Sequence, residues 1–147
     1  MENIWSVFCS KAIVDERSKL VTLIEALDAL SIPEKDLPTV DPKNPVNVGP
    51  ISLQIVSFWY RSDFKKPETS KVRIIFVTPD GQEIKQTEIE VDLQNTVSRH
   101  LIVVIPALTY VGLGMYHFVM EKMDEGKNEW VRTARLPLLL MSEPKKS

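Results

Sequence analysis

"SKLVTLIEALDAL", residues 18–30, is the stretch whose reading decides the fold. Leu20, Leu23, Ile24, Leu27 and Leu30 fall at helical spacing, on one stripe of an amphipathic helix. The strand alternative, Leu20, Thr22, Ile24 and Ala26 against Val21, Leu23, Glu25 and Leu27, alternates poorly. Pattern alone therefore favours a helix over 18–31 and an α+β fold. Two features oppose it: a helix from Ser18 would follow the preceding strand by only a few turn residues, and the segment stops at Ile32-Pro33 without a glycine cap. Read with its surroundings, the stretch is a strand and the chain is all-β.

Those surroundings are strand-like on both sides. Residues 4–14, "IWSVFCSKAIV", put Trp5, Val7, Cys9 and Ile13 on one side of an alternation, and "DERSK" follows as a turn. In "ISLQIVSFWYR", 51–61, Ile51, Leu53 and Ile55 alternate, then Val56, Phe58 and Tyr60 do, so either a bulge near Ile55 or burial on both faces is expected. "KVRIIFVTPDGQEIKQTEIEVDL" is the clearest hairpin, with Val72, Ile74 and Phe76 before the Asp80-Gly81 turn and Ile89, Val91 and Leu93 after it. Glu88, Glu90 and Asp92 then form a solvated acidic face. "HLIVVIPAL", 100–108, is apolar on both faces, as a central strand or one at a subunit contact would be. "GLGMYHFVMEKMDEGKNEWVRTARLPLLLM" supplies two more strands around "DEGKN", and residues 143–147 read as a frayed tail. About eight antiparallel strands at this turn spacing predict one β-sandwich domain over 1–147.

The segment 33–50 stands apart. Pro33, Pro38, Pro42, Pro45 and Pro50 are half of the chain's ten prolines, and proline cannot donate to a ladder, so this is a connection or an edge cover. Its length makes it a candidate cover for a small-ligand or enzymatic site.

Composition narrows the function classes. With 147 residues, 44% hydrophobic and 26% charged, the chain fits a globular domain that buries roughly 68–70% of its unfolded surface. A net charge of −2 offers no overall basic footprint for nucleic acid. Cys9 is the only cysteine, so one chain forms no internal disulfide; Glu2 stands where a signal peptide would be basic, and the apolar run 101–108 is too short to span a bilayer. A cytoplasmic location is expected.

No catalytic motif emerges. Ser57 or Ser98 with His117 and Asp124 could be drawn as a triad, but no Gly-x-Ser-x-Gly elbow supports it. Cys9 shares a side with Trp5 and Val7 and is read as a buried hydrophobe. Asp15, Glu16, Asp41, Asp63, Asp80, Asp124 and Glu125 occupy turns without the Asp-x-Asp pair that begins a calcium loop. "VGLGMY" lacks the lysine of a phosphate loop. Arg61, Lys65, Lys66, Lys71 and Arg73 beside Trp59 and Tyr60 are the nearest approach to a single-stranded nucleic-acid surface. Ile102, Val104, Ile75, Val77, Leu139 and Met141 add apolar side chains beyond one core face, which two-sided burial or an association surface would explain.

"VFCSKAIVDERSKLVTLIEAL", "TPDGQE" at 78–83 and "GMYHF" at 114–118 together resemble a group of small bacterial proteins classed as a domain of unknown function. Its members open with an apolar strand ending in cysteine and an acidic residue, then a turn and a "GKLSLIGVF"-like strand. The resemblance implies a C2-like or immunoglobulin-like β-sandwich with a strand at "KLVTLIEAL". This chain has Ser10 where that group has an acidic residue, and Ser18 and Glu25 where it has glycines. No activity is implied.

The expected function is a non-enzymatic protein-interaction module, self-associating as a homodimer or meeting a protein partner, with no cofactor or metal. The contact candidates are the proline-rich 33–50 segment and "FWYRSDFKK", residues 58–66, with Trp59, Tyr60, Arg61, Lys65 and Lys66 as the expected contacts. An enzyme or small-ligand binder under the 33–50 loop is the competing reading, and a peripheral-membrane or calcium-binding C2-like module the weaker one.

Overall fold

The computed structural model describes residues 1–41 and 43–143. Pro42 and all but the first residue of the expected frayed tail lie outside them. Glu143 itself is held, its N–H donating to the Ile32 carbonyl at 2.9 Å.

The opening stretch is two short strands, in two different sheets. The first strand, β1 (Glu2–Val14), turns at Asp15, whose carboxylate accepts the Arg17 and Ser18 N–H groups at 3.0 and 2.6 Å. β2 (Val21–Ala26) then pairs antiparallel with the second half of β1, from Val14↔Val21 to Cys9↔Ala26. The chain crosses over at Leu27 and Asp28, and β3 (Ala29–Ile32) runs parallel to the last strand, β11 (Glu129–Ser142), in the opposite sheet. Because the inward face is chosen afresh after the crossover, the leucines acquire a helical spacing without a helix. Leu20, on the stripe that suggested one, is 70% exposed, whereas Leu27 and Leu30 pack on the core.

A 3₁₀ turn (Glu34–Asp36) and β4 (Val46–Val48) are the regular pieces of the proline-rich connection among the described residues. Then come β5 (Leu53–Tyr60), β6 (Glu68–Val77), β7 (Glu83–Leu93), β8 (Ser98–Ile105), β9 (Leu108–Tyr110) and β10 (Gly114–Asp124). Sheet A has the order β2-β1-β5-β8, sheet B the order β3-β11-β10-β6-β7, and β4 pairs with β9 apart from both. The fold is thus all-β and sandwich-like, with eleven strands among the described residues and every pairing antiparallel except β3 with β11.

The β6–β7 hairpin forms as its alternation predicts, with Val72 opposite Ile89, and Gly81 supplies the positive φ of 87° at the turn. In β5 the register runs unbroken from Leu53 to Tyr60, and Ile55 and Val56 are both buried, so two-sided burial and not a bulge explains its change of parity. Leu53, Ile55, Ser57 and Trp59 face inward. Trp59 is 0% exposed and satisfies its indole N–H on Ser57 Oγ at 2.8 Å. From sheet B, Phe76, Tyr116 and Phe118 meet this layer, with Phe8 edge-on to Phe118 at 5.3 Å. Tyr116 anchors the β9–β10 connection, donating its hydroxyl to the Gly112 carbonyl at 2.7 Å and accepting the Val111 N–H at 3.0 Å.

Two expectations are corrected. In β1 it is Phe8 that faces the core, and Trp5, Val7, Cys9 and Ile13 face outward from sheet A. β8 is an edge strand of sheet A and not a central one, although it is apolar on both faces.

Candidate functional site

The outward face of sheet A carries a row of rings. A register shift in β1 between Asn3 and Trp5 brings Trp5 level with Phe58, and Phe58 is opposite His100 on β8. Trp5 stacks on Phe58 at 5.9 Å, His100 lies on Phe58 at 4.5 Å with 29° between the rings, and Trp5 closes on His100 at 5.6 Å. The row continues through Tyr60, edge-on to Phe58 at 5.2 Å, to Phe64 in the following loop at 5.7 Å. Trp5 keeps 37% of its surface in solvent and Phe64 63%. Ile13, Ile24 and Val104 extend the exposed apolar area along the same sheet.

Cys9 and Val56 are fully buried in the floor of this face, outside the main core cluster. Burial raises the Cys9 thiol above its ordinary range, which keeps it protonated and unreactive at neutral pH. Burial likewise lowers His100, and no charged group contributes, so the ring is neutral at pH 7. Lys11 is the one basic side chain on the outward positions of β1 and β5.

The expected contact residues separate. Trp59 is a core residue and offers no contact surface, because strand parity turns it inward while Phe58 and Tyr60 turn outward. Arg61 is a structural clamp: its guanidinium donates to the carbonyls of Leu93, Phe64 and Gln94 at 2.8, 3.2 and 2.7 Å. Tyr60 belongs to the aromatic row. Lys65 and Lys66 are exposed beside it, with Lys66 3.7 Å from Asp63. Arg73 lies on the outward face of the other sheet, so the basic residues do not form one patch with the aromatics. Trp5 and His100 are the members that sequence reading missed. The available signal was the same alternation, with its outward side assigned to the core.

The remaining candidates are accounted for locally. Ser57 faces the core and accepts from Trp59, whereas His117 is outward on sheet B, so the two never approach as a triad. Asp15, Asp41, Asp63 and Asp124 each accept N–H groups of their own turns, and Asp80 accepts from Thr78 Oγ1. Among the described residues no group of three or more His, Cys, Asp or Glu is placed to hold a metal ion. A hollow of about 480 Å³ does lie under the proline-rich segment, between Pro33, Asp36, Pro38, Asn47 and Pro50. It holds no histidine, cysteine or cation. No helix among the described residues is long and apolar enough to cross a membrane.

No family model, curated protein or solved structure matches the chain.

Proposed function

We propose that the chain is a non-enzymatic protein-interaction module whose first partner is a second copy of itself, docked through the outward face of sheet A. The observation that carries this reading is the uncovered row Trp5, His100, Phe58, Tyr60 and Phe64, continued by Val104, which is 62% exposed on an edge strand that is apolar on both sides. Contiguous exposed apolar area of this kind marks association surfaces. Aromatic rings held by their neighbours also lose little side-chain freedom on docking.

The choice of a second copy rests on charge. A two-fold contact brings like residues near like residues, which a face of one charge sign resists and a nearly uncharged one accepts. This face has a neutral histidine at its centre, Lys11 toward its β2 side, and Glu2 opposite Tyr60 with Lys65 and Lys66 beside it, so its few charges are of both signs and lie at its margins. The resemblance to small bacterial proteins is carried into the proposal as a fold family and adds no activity.

Sedimentation velocity over a range of concentrations tests it. The wild type should show a monomer–dimer equilibrium, and Trp5→Ser and Val104→Lys should be monomeric with an unchanged far-ultraviolet circular dichroism spectrum. A wild type that stays monomeric at every concentration overturns self-association, and a saturable rise in melting temperature with polar metabolites, lost in Asp36→Ala, moves the function to the hollow under residues 33–50.

A further inference from the structure

The two sheets are closed along β1 and β11 but splay apart at the opposite side, where the edge strands β7 and β8 scarcely touch. A cleft of about 340 Å³ runs inward there, floored by Ile55, Ile74, Phe76 and Phe118 and walled by Val103 and Ile105 of β8. Those β8 side chains face inward yet are only half buried, unlike their fully buried β5 neighbours Leu53 and Ile55. The opposite wall changes character along β7. Leu93, Val91 and Ile89 pack in the core, but the next positions of the same alternation, paired to Ile74 and Phe76, are Thr87 and Lys85. Lys85 makes no ion pair among the described residues, and it is the one charged side chain lining the cleft. Thr109, which donates to Asn47 Oδ1 at 3.2 Å, completes a polar rim.

We infer that this cleft binds a free medium-chain fatty-acid carboxylate, its chain between the sheets and its carboxylate at Lys85. The volume limits the ligand to a single acyl chain, and a medium chain of about ten carbons matches a small-molecule site of this size. The space is too small for a two-chain lipid and lies at the lower end of small-molecule sites. The sign of the head follows from Lys85. An inward lysine also protects an edge strand from pairing with another chain, but edge protection leaves the apolar space behind it unexplained.

Calorimetric titration of the full chain with hexanoate, octanoate, decanoate and dodecanoate, each below its micellar concentration, tests the assignment. Affinity should rise about fourfold per methylene while the cleft fills and level off beyond about ten carbons. Lys85→Met should weaken decanoate about tenfold while leaving decanol unchanged, since only a charged acceptor gains from the ammonium. Thr87→Trp, at an exposed rim position, should abolish binding without lowering the melting temperature. No saturable heat with any carboxylate at millimolar concentration overturns the site. Decanol binding as tightly as decanoate overturns the anionic ligand, and undiminished binding to Thr87→Trp overturns the location. Val104 lies on the docking face and also borders the cleft, so the titrations are repeated in Trp5→Ser, which removes self-association from a position that does not line the cleft.

Discussion

The outward faces of the two sheets solve the same problem in opposite ways. On sheet B, Arg73 reaches Glu121 through Nε and a terminal nitrogen, both at 2.6 Å, and lies 4.4 Å over the ring of Trp130. Its register partner on β7 is Glu88, and the next outward pair is Lys71 with Glu90. Opposite charges face each other across the strands, the arrangement that stabilises a water-facing sheet. On sheet A the equivalent positions are Trp5, Phe58, Tyr60 and His100, which satisfy one another only in part and leave ring surface in water. Sheet B closes the middle of its face with opposite charges and leaves apolar area toward one end, at Met115 and Met141, whereas on sheet A the exposed apolar area is a continuous row of rings. This contrast is what favours sheet A for the proposed docking surface.

The largest expected effect separates core from face. Trp59→Ala removes a fully buried indole and should cost about 3–5 kcal/mol of folding stability. Trp5→Ala, at a part-exposed ring, should cost the monomer less than about 1 kcal/mol and yet abolish the dimer. Urea denaturation at dilute concentration reads the first quantity and sedimentation the second. If Trp5→Ala destabilised the monomer as much as Trp59→Ala, the ring row would be a second core and not a docking face.

On the charged face, Glu121→Ala leaves the Arg73 guanidinium without its carboxylate in a mostly buried setting, where both side chains are under a quarter exposed. The loss should be about 1–3 kcal/mol, with dimerisation unchanged. A double-mutant cycle with Arg73→Met isolates the pair from the Trp130 contact. Weakened self-association in Glu121→Ala would break the assignment of the two faces to separate roles.

A smaller effect appears with pH. Burial lowers His100 below 6.5, and burial together with nearby Arg135 lowers His117. Below pH 6.5 the unfolded chain binds protons that the folded chain resists, so both groups contribute stability above that pH that is lost as pH falls through their folded values. Only His100, packed by Trp5 and Phe58, lies on the proposed interface. Protonation there sets like charges facing across the two-fold contact, so dimer affinity should fall in the same pH window. His100→Phe should remove the pH dependence of association and leave the His117 part of the folding profile. Association that is flat between pH 7.5 and 5.5 in the wild type would take His100 out of the contact.

How much of this was legible in the sequence depends on whether parity survived along the strand. In the β6–β7 hairpin it did, and Val72, Ile74, Phe76, Ile89, Val91 and Leu93 all lie where alternation puts them. In β1 and β5 both faces are apolar, so alternation gives two sets without saying which faces the core. Trp59 and Trp5 were exchanged for that reason: a large ring reads as hydrophobic on either side, and the register shift between Asn3 and Trp5 leaves no mark in the sequence. Between residues 18 and 32 the pattern restarts at a crossover between sheets. The cleft was invisible because its lining comes from β5, β6, β8, β9 and β10 together, and Lys85 reads as an ordinary strand lysine until its inward register is known.

The smallest effect concerns the edge of the aromatic face. Glu25 has a φ of 53°, in the left-handed region, and the ladder between β1 and β2 skips it and its opposite number Ser10, whose Oγ donates instead to the Ile24 carbonyl at 3.0 Å. A side-chain-bearing residue pays about 1–2 kcal/mol for that conformation. Glycine adopts it freely but loses more freedom on folding, roughly 0.5–1 kcal/mol. Glu25→Gly should therefore stabilise the fold by about 0.5–1 kcal/mol, and Glu25→Val should destabilise it, because a β-branched residue tolerates positive φ least. The shift in urea midpoint measures both. Since the substitution relaxes the β2 edge without touching a ring, dimer affinity should stay constant. A Glu25→Gly protein that is more stable but no longer dimeric would transfer the contact from the aromatic face to the β2 edge.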